Sequence, residues 1–220
     1  MGKVITIDGP AASGKTSVSR ELARRLGWNW VSTGAFYRGL GYVADRLRCD
    51  LDNEKALSEL AKSNRWSVEM TTDSTRVFLG DEDVTDQIFQ EHVGTIASKI
   101  SQLPKVREAL LQPQRDCQSE TLGLVAEGRD CGTIVFPQAD VKIYLTARQE
   151  DRALRRAKES GASAEEIQKA QVVRDQQDSS RKVAPLQVPE NSFVVDASTL
   201  NFQQVVDLIE NHVQEKLGIL

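Results

Sequence analysis

The sequence predicts an α/β fold: a three-layer arrangement with a five-stranded parallel sheet, helices on both faces, and a small, mostly antiparallel insertion. Three observations point there. Five short apolar runs of strand length are spread over the 220 residues, separated by polar turns and segments of helical period. The first of these runs feeds a glycine-rich turn, which leads directly into an amphipathic segment. Between about residues 66 and 88 the pattern instead alternates as a hairpin does.

Val4-Ile5-Thr6-Ile7 is β-branched and ends at Asp8-Gly9-Pro10, as expected of a buried strand entering a tight turn. From Lys15 to Leu26 the spacing becomes helical, with Val18, Leu22 and Leu26 on one stripe. Trp28 to Val31 reads as the second strand, followed by a helix from about Gly34 that carries Tyr37, Leu40 and Val43. Ser67-Val68-Glu69-Met70 and Arg76-Val77-Phe78-Leu79 flank the turn-rich Thr71-Thr72-Asp73-Ser74 and form the antiparallel insertion. Pro113 falls within the helix expected after Arg107, where it should kink or end it. The remaining strands are assigned to Leu122–Ala126, Val141–Leu145 and Phe193–Val195, apolar runs suited to a sheet covered on both faces. Ala147 to Arg181 reads as two charge-rich helices broken at Gly161. The closing helix places Phe202, Val205, Val206, Ile209, Val213 and Leu217 at helical intervals.

Composition narrows the function classes. With 40% hydrophobic and 27% charged residues the chain is an ordinary globular sequence, long enough for one core with insertions. No apolar run approaches the ~20 residues of a membrane span, and the N-terminus lacks the pattern of a secretory signal, so a cytoplasmic location is expected. Cys49, Cys117 and Cys131 are scattered and odd in number, as free thiols are, and His92 and His212 offer no zinc-ligand spacing. A net charge of −4 argues against binding nucleic acid. A monomer acting on small anions is expected.

Gly9-Pro10-Ala11-Ala12-Ser13-Gly14-Lys15-Thr16 fits GxxxxGK[ST] in full, between a predicted strand and a predicted helix. This is a P-loop: inward backbone N–H groups and the helix N-terminus attract phosphate, Lys15 bridges the outer phosphates, and Thr16 can reach Mg²⁺. A P-loop alone does not separate kinase from ATPase or GTPase, but no NKxD-like guanine motif is present.

Other charges sharpen the choice. Arg38, in Thr33-Gly34-Ala35-Phe36-Tyr37-Arg38, follows the second strand at the edge where open α/β sheets bind ligands. Glu127 ends an apolar strand, the position from which a carboxylate orders Mg²⁺ or its waters. Arg129 and Asp130 follow it as either a local salt bridge or a ligand site. Arg174, Asp178 and Arg181, at i, i+4 and i+7, share one helical face, which a solvated ion-pair ladder would also explain. Arg152, Arg155 and Arg156 read on spacing alone as a wet surface. In a chain with a P-loop such arginines suit transfer between two phosphates, because an acceptor phosphate is already ionised and needs alignment and neutralisation rather than a base.

These motifs, with Pro104-Lys105-Val106-Arg107-Glu108-Ala109-Leu110, Gly128 to Pro137 and Arg181-Lys182-Val183-Ala184-Pro185-Leu186, resemble the bacterial-type cytidylate kinases over nearly the whole chain. The resemblance implies ATP-dependent phosphorylation of CMP or dCMP with Mg²⁺. It divides the chain into a CORE (about 1–62, 104–147 and 183–220), an NMP-binding insertion (about 63–103) and a LID (about 148–182). It implies that the P-loop residues, Ser17 and Arg155 hold the donor and that Lys15, Arg129 and Arg174 are catalytic. Thr33, Arg38 and Arg129 would hold the acceptor, Ser98, Arg107 and Asp130 read cytosine, Arg174 and Asp178 contact the sugar, and Arg181 completes the pocket. Thr16 and Glu127 would serve the metal. Thr33 stands where the family often has Ser, Glu127 where it often has Asp, and Gln177 and Ser179 where it can be basic. Another small-molecule P-loop kinase, or a nucleotide-sensing module without turnover, are the alternatives.

Overall fold

The computed structural model describes residues 2–118, 121–160 and 163–219, without the side chains of residues 156, 158–160, 164, 166 and 170. The predicted break at Gly161 and the side chain of Arg156 therefore lie outside the described residues. Strands β1 (Lys3–Asp8), β2 (Asn29–Ser32), β6 (Gly123–Gly128), β7 (Val141–Thr146) and β8 (Phe193–Asp196) form a five-stranded sheet in the order β2-β6-β1-β7-β8, every pairing parallel. The third strand lies one residue later than predicted, because Leu122 is exposed and pairing begins at Gly123, against Lys3.

The pleat sorts side chains to two cores. Ile5, Ile7, Val125, Ile143 and Leu145 face helices α1 (Lys15–Leu26) and α9 (Phe202–Leu217), which bring Val18, Leu22, Val206, Ile209 and Val213. Val4, Val31, Leu124 and Ala126 face the other way, toward α2 (Thr33–Arg46), α3 (Glu54–Ala61), α5 (Glu91–Ile100) and α6 (Pro104–Asp116). Phe202 stays half exposed, so the stripe of α9 that reaches the core begins at Val205. An Asn201 capping box starts that helix.

The insertion is an antiparallel sheet of β3 (Trp66–Met70), β4 (Thr75–Leu79) and β5 (Glu82–Asp83), followed by the short α4 (Thr85–Ile88). It is fastened to the edge strand β2, where Trp30 N–H donates to the Thr71 carbonyl at 2.8 Å and Ser32 N–H to Thr75 Oγ1 at 2.9 Å. It also presses on α2, where a Cβ on Gly39 would come within 2.9 Å of both Trp66 and Val77.

Three expectations need correction. Pro113 does not end its helix: α6 runs on to Asp116, with the Gln114 side chain donating to the Leu110 carbonyl at 2.8 Å beside the position where proline lacks its N–H. Arg181 lies beyond α8 (Ala164–Ser179), so it meets Asp178 from the loop rather than from the helix. Arg152, on α7 (Gln149–Ser160), is buried rather than wet, because it is the partner of Asp175 and of the Ala11 carbonyl.

Candidate active site

Connections leave β1 and β6 toward opposite edges of the sheet, and these strands are neighbours, so the loops after them open side by side at the carboxyl edge. The loop after β1 is the P-loop. Gly9 approaches the Leu145 backbone so closely that a Cβ there would collide with its carbonyl. Gly14 (φ 93°) turns the loop into α1, and Ala12 (φ 57°) takes a left-handed conformation uncommon for a non-glycine residue. Lys15 is buried and folds over its own loop, donating to the Pro10 carbonyl at 2.6 Å and to Ser13 Oγ at 3.4 Å. Burial, reinforced by the Arg129 charge, lowers its pKa to about 7 against the pull of Glu127, Asp8 and Asp178. Thr16 and Ser17 are exposed at the start of α1.

Glu127, buried at the end of β6, accepts from Ser32 Oγ at 2.5 Å and Thr16 Oγ1 at 3.3 Å. A carboxylate and a hydroxyl thus stand together where the phosphate loop meets its neighbouring strand. Thr33, the first residue of α2, turns its hydroxyl inward to the Glu127 carbonyl at 3.0 Å and lies 3.4 Å from Cys131 Sγ.

Arg129 and Asp130 do not pair with each other. Arg129 Nε donates to Asp178 at 2.8 Å, and Asp178 also pairs with Arg181. Asp130 pairs with Arg107 from α6, whose guanidinium sits 5.3 Å from the centre of the Tyr37 ring. Burial raises the pKa of Asp130 while Arg107 and Arg181 oppose it; burial also lowers that of Arg181. For Arg129 burial works against the charge, but Asp178 outweighs it and holds the guanidinium above its ordinary value. Burial pushes the Tyr37 hydroxyl up to about 12. Among the described residues the buried Arg181 Nε has no hydrogen-bond partner.

The other expected residues make contacts of their own. Arg38 donates to the Ile88 carbonyl at 2.9 Å and lies 5.7 Å from the Phe89 ring centre. Arg38 and Arg174 converge over Gly94, where a Cβ would stand 3.0 Å from one guanidinium and 2.8 Å from the other. Arg174 also lies 3.9 Å from Glu91. Ser98 donates to Gln177 at 3.2 Å, joining α5 to α8. Arg155 reaches over from α7 beside Gly14 and donates to the Ala197 carbonyl at 2.6 Å.

Sequence reasoning missed Asp8 and Asp175, and placed Arg152 only within a basic cluster. Asp8 is wholly buried and accepts from Cys131 N–H at 2.8 Å and Gly132 N–H at 2.7 Å, fixing the π-helical turn Cys131–Val135 that follows Asp130. Burial raises its pKa to about 6 despite those two bonds. Its signal was an acid at the end of an apolar strand, the same signal that marked Glu127. Asp175 accepts from Ala11 N–H and from Arg152, and only its place next to Arg174 hinted at it.

The sequence matches the family described as cytidylate kinase over residues 5–215. It is 60% identical to the cytidylate kinase of Bdellovibrio bacteriovorus, covering 99% of this chain and 100% of that protein. It is 47% identical to the cytidylate kinase of Azotobacter vinelandii, covering 96% and 94%. Among solved structures, a gluconokinase from Sinorhizobium meliloti (TM-score 0.51, 11% identity, 98% and 95% covered) and a shikimate kinase from Bacteroides thetaiotaomicron (0.50, 10%, 98% and 98%) share the fold.

Proposed function

This chain belongs to the cytidylate kinase family, and from that premise we propose that it transfers the γ-phosphoryl group of ATP to CMP and dCMP, giving ADP with CDP or dCDP. The observation that carries the reading at this site is the charge gathered beside the P-loop: Arg107 with Asp130, and Arg129 and Arg181 with Asp178, drawn from separate segments and largely buried. Within that cluster Arg181 Nε is buried and unpartnered, at a cost of about 1–3 kcal/mol that an incoming anion would relieve.

The acceptor phosphate oxygen is already ionised, so no general base is required and catalysis is alignment with charge neutralisation. The P-loop from Gly9 to Thr16 and Ser17 cradle the donor phosphates, Lys15 exchanges the Pro10 carbonyl for their oxygens, and Arg155 closes over them from beside Gly14. Arg38 and Arg129 hold the acceptor phosphate beside Thr33, while Lys15, Arg129 and Arg174 neutralise the transferring group. Arg107, Asp130 and Ser98 read cytosine. Its exocyclic amine donates to Asp130 and its ring acceptors meet Arg107, whereas uracil turns a carbonyl toward the carboxylate and leaves it unpaired. Arg174 and Asp178 contact the sugar, and Arg181 completes the pocket.

Thr16 and Glu127 are the residues that fit Mg²⁺. They supply hard oxygen ligands within 3.3 Å of each other, and among the described residues no larger cluster of His, Cys, Asp and Glu forms an all-protein cage. That suits an ion that keeps waters and phosphate oxygens as its other ligands. Bound with ATP, Mg²⁺ supplies further positive charge to the donor phosphates. In this reading residues 1–62, 104–147 and 183–220 act as CORE, 63–103 as the NMP-binding insertion and 148–182 as the LID. The enzyme works as a monomer in the cytoplasm, in keeping with three scattered cysteines at no metal-ligand spacing.

Turnover of ATP with CMP, dCMP, UMP and AMP tests the proposal. CMP and dCMP should be the fast substrates, and comparable rates with UMP or AMP would overturn the base assignment. Phosphorylation of a hydroxyl acceptor without stimulation by CMP would indicate another P-loop kinase, and tight binding of both nucleotides with no CDP formed would indicate a sensor. Lys15→Ala should abolish transfer while the far-ultraviolet spectrum stays native.

A further inference from the structure

Helix α8 carries Arg174 and Asp178, yet hydrophobic burial does little to hold it. Among its described side chains only Gln171 and Asp178 are buried, both polar, while Val172 and Val173 remain 44% and 54% exposed. Polar contacts therefore set where the helix lies. Several of them involve residues assigned above to CMP: Ser98 on Gln177, Arg129 and Arg181 on Asp178, and Arg174 near Glu91. Those contacts must exchange partners when the acceptor nucleotide enters.

One group of contacts is free of that conflict. Asp175 Oδ1 accepts from Ala11 N–H at 3.1 Å, and Oδ2 accepts from Arg152 Nη1 at 2.6 Å. The same Nη1 donates to the Ala11 carbonyl at 2.8 Å, and Arg152 Nε donates to the Ala147 carbonyl at 3.2 Å, anchoring the arginine at the root of α7. Gln171 closes the ring by donating to the Arg152 carbonyl at 3.4 Å. Both backbone polar groups of Ala11 are thus held from the α7–α8 arm, next to the left-handed Ala12 of the P-loop.

We infer that Asp175 and Arg152 are positioning residues for the phosphoryl transfer: they clasp the α7–α8 arm to Ala11 and keep it seated on the donor loop while Arg174, Asp178 and their neighbours turn from one another to CMP. Neither Asp175 nor Arg152 is assigned to a substrate. The clasp fixes the distance between the donor loop and the arginines that serve the acceptor. The inference rests on the cytidylate kinase reading only for what the arm delivers; the clasp itself has a test independent of turnover.

That test is limited proteolysis and amide exchange of the nucleotide-free protein. In Asp175→Ala, opening within residues 148–182 should accelerate at least about tenfold while the sheet strands keep their protection, because a locally held unit has lost its anchor. Unchanged rates would overturn the clasp whatever the enzyme phosphorylates. In steady state, Asp175→Ala should lower kcat about 10- to 100-fold and raise KM for CMP, with the equilibrium Kd for ATP within about threefold, the pattern of a misplaced arm over an intact P-loop. A parallel loss of kcat and of ATP-binding stoichiometry, with KM unchanged, would mean simple unfolding and sink the idea. Asp175→Asn, which keeps an acceptor for Ala11 N–H, should recover part of the rate. Arg152→Ala with Asp175→Ala should be no worse than either alone, to within about twofold; multiplied losses would show that the two residues do not act as one clasp. Arg152→Lys, which keeps the charge but cannot fork, repeats the proteolysis test should Asp175→Ala fail to fold.

Discussion

Asp130 and Arg107 face each other in a buried pair, so either side chain without the other is a buried charge without its partner. Asp130→Ala should therefore have two separable effects. Stability should fall by about 3–5 kcal/mol, because Arg107 is left uncompensated. In denaturant-free assays at low temperature, kcat/KM for CMP should fall at least about 100-fold, while KM for ATP stays within about threefold. Equal losses for both nucleotides would make Asp130 structural. Asp8 gives a second prediction, of definite sign. Its pKa rises from 3.8 to about 6 on folding, so its contribution to stability is fully present below pH 3.8 and is lost as pH rises through 6. Asp8→Asn cannot titrate. The stability of the variant minus that of the parent should climb between pH 4 and 7, by up to about 3 kcal/mol, in denaturant melts at each pH. A falling difference would mean that the Cys131 and Gly132 amides, rather than burial, govern this carboxylate. At this scale the sequence revealed which residues carry charge but not their partners. Arg129 and Asp130 are adjacent in the chain, yet Asp130 pairs 23 positions away with Arg107 on α6 and Arg129 pairs 49 positions away with Asp178 on α8, partners that only the fold brings to them.

Pro113 shows how an element can override a local rule. Proline inside a helix removes one intrahelical bond, and here the residues around it are pinned by burial: Val106, Ala109 and Leu110 lie in the core before it and Gln114 is buried after it. Pro113→Ala should return the N–H and stabilise the protein by at least about 1 kcal/mol in thermal or urea unfolding, the restored bond outweighing the extra freedom of the unfolded chain. Destabilisation would mean that the helix is built around the missing bond. The elements best read from sequence were those with one dominant force. The β-branched runs became the sheet, and α1 and α9 followed their apolar stripes. Less legible were α3, α5 and the π-helical turn. Helix α5 carries Gly94 and Thr95, poor helix formers, and owes its place to packing on α2, where Ile96 comes within 3.0 Å of a Cβ built on Gly41. The turn Cys131–Val135 depends on the distant carboxylate of Asp8, which no local pattern encodes.

Across the whole molecule the two cores hold the sheet from both faces, while the arm of α7 and α8 touches the rest mainly through polar groups. That arm meets both halves of the site. Asp175 and Arg152 reach the P-loop, Arg155 stands beside Gly14, and Asp178 pairs with Arg129 and Arg181, the arginines proposed above to serve the acceptor. The clasp seats one end of the arm, and whichever nucleotide binds first bears the entropic cost of ordering the rest for the second. CMP affinity should therefore tighten by about 5- to 150-fold, a coupling of about 1–3 kcal/mol, when a non-hydrolysable ATP analogue and Mg²⁺ are present. Linkage requires the analogue to tighten by the same factor in the presence of CMP. Isothermal titration of each ligand with and without the other measures both legs of the cycle. Equal affinities in all four titrations would show that the arm is ordered independently of its ligands, and the two half-sites would then act as separate binding surfaces joined only by the sheet.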